Sequence, residues 1–147
     1  RQGRIVAENA LADAGHRFDG SVIPRAIFTD PPIAVVGQTE ADVRAERFPA
    51  VTATAPMRYV PRAGAVHKPE GFVKMIASTI DERILGVHVI GEAAPEMIHE
   101  AAMAMKFGAT IPDFVELIHV YPTMAEALKI GAQAFYKDVS KLSCCAE

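Results

Sequence analysis

The chain ends in Lys141-Leu-Ser-Cys-Cys-Ala-Glu147, and Cys144 and Cys145 are its only cysteines. Neighbouring Cα atoms across a trans peptide stand about 3.8 Å apart, closer than the ~4.4–6.8 Å of an ordinary disulfide, so a bond between these two would be strained. A reduced dithiol is the expected resting form. Two thiolates on a mobile terminus can both turn toward one soft cation, which sulfur prefers over Mg²⁺ or Ca²⁺. Zinc would ask for about four ligands in a tetrahedron, and neither a C-x₂-C partner nor a well-spaced His pair completes that set. A two-coordinate soft ion suits this supply of ligands better. The plainer readings are a pair without a role or a palmitoylation site, and no amphipathic basic segment adjoins the pair to support the lipid.

A second group of reactive side chains is His119-Val-Tyr-Pro-Thr-Met-Ala-Glu126. Thr123 and Glu126 have the spacing of a capping box, in which the hydroxyl meets an amide of the first turn and the carboxylate reaches back to the N-cap amide. That structural role alone would account for both. Tyr121 precedes Pro122, so its backbone is biased toward an extended conformation just before a helix. A phenol has a reference pKa near ~10, and serves as hydrogen-bond donor or weak ligand more readily than as a base at neutral pH.

The remaining polar candidates have quieter readings. His88 stands in an apolar strand and is expected to be a paired sheet residue, since buried polar groups satisfy one another. His99 shares a helix face with Glu96, Met103 and Lys106, toward solvent or a partner subunit, while His16 and His67 fall in loops without ligand spacing. The six methionines lie scattered at core spacings, which argues against a methionine copper site.

With 147 residues and 50% apolar side chains, the chain is long enough to bury roughly two thirds of its unfolded surface as one domain, with room for an appendage. The 15 Lys and Arg against 18 Asp and Glu leave a formal charge of -3 and no basic run to track a phosphate backbone, so nucleic acid is not an expected partner. No window approaches the ~20 apolar residues of a membrane span, so a soluble, cytoplasmic protein is expected. No signal-peptide pattern appears near the start. Arg1 stands inside a helical pattern that lacks an N-cap, so the numbering is expected to begin within a longer protein.

Gly15 to Pro24 reads as a loop and a boundary. Ala26–Thr29 and Ile33–Val36 are short β-type runs separated by Asp30-Pro31-Pro32, and Thr39-Glu-Ala-Asp42 opens a short helix reaching about Arg47. Val51–Ala55 alternates with period two, and Phe72–Ala77 with Ile84–Ile90 flank a charged turn as a hairpin. A helical stripe runs from Pro95 to Phe107 and stops at Gly108. Pro112–Leu117 suggests a turn or two more, and Thr123–Tyr136 a final helix. Strands first and helices last predict an α+β fold, a largely antiparallel sheet covered by helices. Neither G-x-G-x-x-G nor G-x-x-x-x-G-K-S/T occurs, so no Gly-rich turn binds a dinucleotide here.

His119-Val-Tyr-Pro-Thr-x-x-Glu126, the helical region from Met103 to Leu117 and the strand end Gly86-Val-His-Val-Ile-Gly91 resemble the C-terminal dimerisation domain of the flavin-dependent pyridine nucleotide-disulfide oxidoreductases. The resemblance covers about Ile23 to Lys137. It implies that residues 1–20 end a preceding flavin-binding domain, that 21–137 form the dimerisation domain, and that 138–147 form a mobile tail. In the dithiol and disulfide reductases of that family the motif reads His-Pro-Thr-x-x-Glu, the His being the acid-base catalyst and the Glu orienting it. Tyr121 and Glu126 occupy those two places.

Imidazole titrates near neutrality and phenol does not, so the Tyr departs from thiol-disulfide acid-base chemistry. Tyr at this place together with a C-terminal Cys-Cys is similar to the branch of the family that reduces mercuric ion. The resemblance implies that Cys144 and Cys145 receive Hg²⁺ and pass it to a redox dithiol beside FAD, with electrons from NADPH reducing it to Hg⁰. It implies a homodimer in which the tail of one subunit completes the site of the other. His119 is then expected to make a structural hydrogen bond at the dimer interface. The redox C-x-x-x-x-C segment and the FAD and NADPH fingerprints do not occur, so catalysis by this chain alone is not expected. Two other readings stand beside this one: the same domain of a different flavoprotein disulfide reductase, and a small soft-metal-binding protein on an independent fold.

Overall fold

The two apolar runs that flank the charged turn become β4 (Phe72–Ser78) and β5 (Ile84–Ile90), and these two strands form the centre of the sheet. They pair antiparallel through the turn at 79–83, as the hairpin spacing predicts. The computed structural model describes residues 1–142. β3 (Ala50–Pro56) lies on the far side of β4, and β2 (Ile33–Gly37) on the far side of β5, followed by the short edge strand β1 (Arg25–Ile27). The order is β1-β2-β5-β4-β3, and every pairing is antiparallel.

One face of this sheet is apolar and covered. Ala34 and Val36 of β2, Val73 and Met75 of β4, and Val87 and Val89 of β5 are all 1% exposed or less. They meet α4 (Ala94–Lys106), which lies over β2 and β5, and α6 (Glu126–Gln133), which lies over β3 and β4. The predicted stripe of α4 is the buried one, with Met97, Ile98 and Ala101 in the core. Its macrodipole is matched by Glu96 in the first turn and Lys106 in the last. In α6 the residues Ala127, Leu128, Gly131 and Ala132 face the sheet. Gly131 is needed there, because a Cβ would press on the Val73 and Met75 side chains.

Close approach also explains Gly86. It pairs with Gly37 across β2 and β5, and a Cβ at Gly86 would collide with the Gln38 carbonyl. The same carbonyl lies 2.9 Å from Nε2 of His88, which gives that histidine the sheet partner expected of it. Around the sheet, α2 (Glu40–Ala45) starts from the predicted box, Thr39 with Asp42, and ends at Ala45, two residues short of Arg47. The sequence pattern predicts no element over residues 57–65. They hold a 3₁₀ turn (Met57–Tyr59) and the short helix α3 (Pro61–Ala65), entered through Pro61. Met103 departs from the core spacing read for the methionines, being 59% exposed, whereas Met57 and Met75 are fully buried. Helix α1 (Gln2–Ala12) has no buried residue. No helix among the described residues is long and apolar enough to cross a membrane.

Candidate functional site

The site region begins where α5 (Ile111–Glu116) stops. Thr110 and Asp113 close a capping box at its start, and Pro112 supplies a backbone already fixed for the first turn. Leu117 then takes an extended conformation (φ −61, ψ 129) that ends the helix, and the chain runs without helix or strand to Thr123. Ile118 is 92% exposed and Val120 77%, yet the His119 side chain between them is only 6% exposed. His119 alone in this row turns inward.

Both ring nitrogens of His119 meet acceptors. Nδ1 lies 3.2 Å from the Leu117 carbonyl and Nε2 lies 3.0 Å from Oε1 of Glu100 on α4. A carbonyl and a carboxylate both accept, so this geometry suits the protonated ring, which can donate from both nitrogens. The hydrogen bond that His119 donates to Glu100 raises the imidazole above its ordinary value of 6.5, with burial opposing in part. A raised folded value means that this bridge gives its full stability below the unfolded pKa and loses it as pH rises through the folded one. Denaturant titrations of the chain over that window should show stability falling with pH, and His119→Gln should remove this slope.

The expected cap at Thr123 is only half formed. The Thr123 amide donates to Oε2 of Glu126 at 2.9 Å, but its Oγ1 is buried without a protein partner. The physical reason is where the helix starts. α6 begins at Glu126 with Ala125 as N-cap, not at Thr123 as the motif spacing suggested, so no first-turn amide faces the hydroxyl. At its far end the helix stops at Gln133 and turns follow to Tyr136. Leaving a buried hydroxyl unpaired costs ~1–3 kcal/mol. Thr123→Val keeps the shape and the amide, so thermal melting of the chain should rise by about 2–4 °C.

Tyr121 is 55% exposed, beside the cis Tyr121-Pro122 peptide. Glu126 opens α6 five residues later, and of the groups between them it is the Thr123 amide that it holds. Cys144 and Cys145 lie outside the described residues. What precedes them is well anchored. Asp138 accepts from the Ser140 amide and hydroxyl and caps one 3₁₀ turn (Val139–Lys141), whose Val139 is buried. Tyr136 donates to Glu82 at 2.6 Å, and burial together with that bond pushes its phenol up to about 12. Glu100 was not legible as a site residue; its partner lies 19 positions away, and its helical context alone assigns it to the dipole of α4.

Among the described residues no three His, Cys, Asp or Glu side chains converge on a point that could hold a metal ion. Nor do they fit a dinucleotide. FAD and NADP sites of the Gly-turn type need a parallel strand running into a helix N-terminus, and every strand pairing here is antiparallel. No step through either cofactor is therefore assigned to these residues.

The antiparallel sheet under α4 and α6, joined to the His119–Glu126 connection, defines the class. The pyridine nucleotide-disulphide oxidoreductase dimerisation domain matches residues 23–132, and the chain belongs to that family. Within it, a mercuric reductase from Lysinibacillus sphaericus is 39% identical over 145 residues, 99% of this chain and 27% of that protein. Dihydrolipoyl dehydrogenase 2 of Haloarcula marismortui is 40% identical over 129 residues, 88% of this chain and 27% of its own. The solved HOCl-induced flavoprotein disulfide reductase of Escherichia coli superposes with a TM-score of 0.82 at 26% identity, over 90% of this chain and 31% of that one. The chain spans about a quarter of the length of the curated relatives. A soft-metal binder on an independent fold is set aside by the family match.

Proposed function

We propose that this domain is the dimerisation and Hg(II)-delivery portion of a homodimeric, NADPH- and FAD-dependent enzyme that reduces Hg(II) to Hg⁰ in the cytoplasm. The observation that carries the reading is the pairing of Tyr121, at the head of the Pro-Thr-x-x-Glu turn of this fold, with Cys144-Cys145 in the tail. Thiolates match a soft ion, and exposed Tyr121 offers a hydroxyl without adding a base that titrates near neutrality. Glu126 holds the turn that carries Tyr121 through its bond to the Thr123 amide. Residues 1–20 read as the end of a flavin-binding domain, 21–137 as the dimerisation domain and 138–147 as the delivering tail. Electron transfer belongs to segments other than these.

Leu117, Ile118, Val120 and Tyr121 expose apolar surface in one run, which a second subunit would cover. The chain should therefore self-associate, and a strictly monomeric mass by light scattering at high concentration would count against the homodimer. Mass spectrometry of the native gene product tests the enzyme reading: a polypeptide several times this length carrying FAD supports it, and a metal-loaded product of this length opposes it. The likeness to a dihydrolipoyl dehydrogenase favours one second reading, a dithiol or disulfide reductase with a substituted motif.

A further inference from the structure

Three helices are tied to one another around His119 in this domain. The Leu117 carbonyl, at the end of α5, accepts from Nδ1 of His119 at 3.2 Å and from Nζ of Lys129, on α6, at 3.3 Å. The other nitrogen of His119 reaches Glu100 on α4 at 3.0 Å, and the ring is nearly enclosed while its chain neighbours stand in solvent. We propose that His119 is a positioning residue: its bridge from the Leu117 carbonyl to Glu100 fastens the segment carrying Tyr121 to α4 and fixes where the phenol stands. The charged groups facing the ring are Glu100, which favours its protonated form, and Lys129, which opposes it.

The geometry separates this role from packing. A side chain that merely filled space would not need two acceptors at opposite edges of a planar ring, nor a lysine doubled onto one of them. In a segment without helix or strand, order comes from side-chain ties, and a charge-assisted bridge is among the strong ones. Without the bridge, Ile118, Val120 and Tyr121, all more than half exposed, have little burial to hold them.

The consequence for turnover rests on the reading of Tyr121 as a site residue, whereas the positioning does not. In the 147-residue chain, nuclear magnetic resonance should show the Val120 backbone and Tyr121 ring resonances moving toward random-coil positions in Glu100→Ala and in His119→Ala. Glu100→Gln keeps an acceptor oxygen and should restore most of the native positions. Amide exchange in the central strands β4 and β5 should stay unchanged, which separates local release from unfolding. Unaltered Tyr121 resonances in Glu100→Ala would overturn the proposal, as would equal loss in Glu100→Gln and Glu100→Ala. In the flavoprotein, Glu100→Ala should lower kcat for Hg(II) with little change in KM, again rescued by Gln. If the resonances respond and kcat does not, the positioning stands and the reading of Tyr121 falls.

Discussion

Cys144→Ala with Cys145→Ala in the flavoprotein is expected to slow reduction of Hg(II) held by bulky thiols by about 10²-fold. Hg(II) offered as a small halide complex should be affected far less. The difference follows from ligand exchange. A bulky complex is opened by an attacking thiolate, and a thiolate pair tethered close to its target acts at a high effective concentration. A small complex can reach an inner dithiol without that help. Steady-state rates with the two kinds of complex measure the ratio directly. Equal losses with both would show that the tail serves some step other than delivery. Unchanged rates with both would leave Cys144 and Cys145 without a role. The single substitutions should each retain part of the activity with bulky complexes, since one thiolate still attacks although two hold the ion better.

The second large effect concerns Tyr121. Tyr121→Phe removes one hydrogen bond from the transfer path, and a charge-assisted bond of ~1.5–3 kcal/mol corresponds to about 10- to 100-fold in rate. Single-turnover reduction of Hg(II) should slow by that order, with the pH-rate profile keeping its shape. Were Tyr121 a general base, the native rate would climb steeply toward a phenol pKa and Tyr121→Phe would erase that limb. Passing a soft cation between sulfurs needs positioning more than proton abstraction, so the flat comparison is the expected one. Tyr121→His should instead bring disulfide reductase activity, because imidazole titrates where that chemistry needs it. Unchanged Hg(II) reduction in Tyr121→Phe would remove Tyr121 from the site.

The residues legible in the sequence are those whose signals are local. β3 shows in the alternation of Val51–Ala55, β4 and β5 in the apolar runs on either side of a charged turn, and α4 in its stripe between Pro95 and Gly108. The antiparallel sheet under helices follows from their order. What escaped detection was set by contacts distant along the chain or by competing starts. Thr123-x-x-Glu126 matches a capping signature, yet the Thr123 connection leaves Pro122 before entering the helix, and the first helical residue is Glu126 itself. α3 is only five residues between Pro61 and Ala65, too short for a period to register. The motif singles out His119 for a structural hydrogen bond at a dimer interface; its two bonds lie within the chain, and nothing local names Glu100 as the partner. Tyr121 stood out by residue type at a motif position, and the Cys pair by adjacency alone.

The central claim is that this domain serves the reduction of Hg(II). Its most direct test is to supply the purified native flavoprotein with NADPH and thiol-bound Hg(II), measuring NADPH oxidised and Hg⁰ vapour released together. The predicted result is Hg⁰ released in equal amount to NADPH consumed, with Hg(II) absent as the control that stops both. NADPH consumption sustained by a small-molecule disulfide, with no Hg⁰ released from Hg(II), would contradict it and place the domain in a disulfide reductase instead.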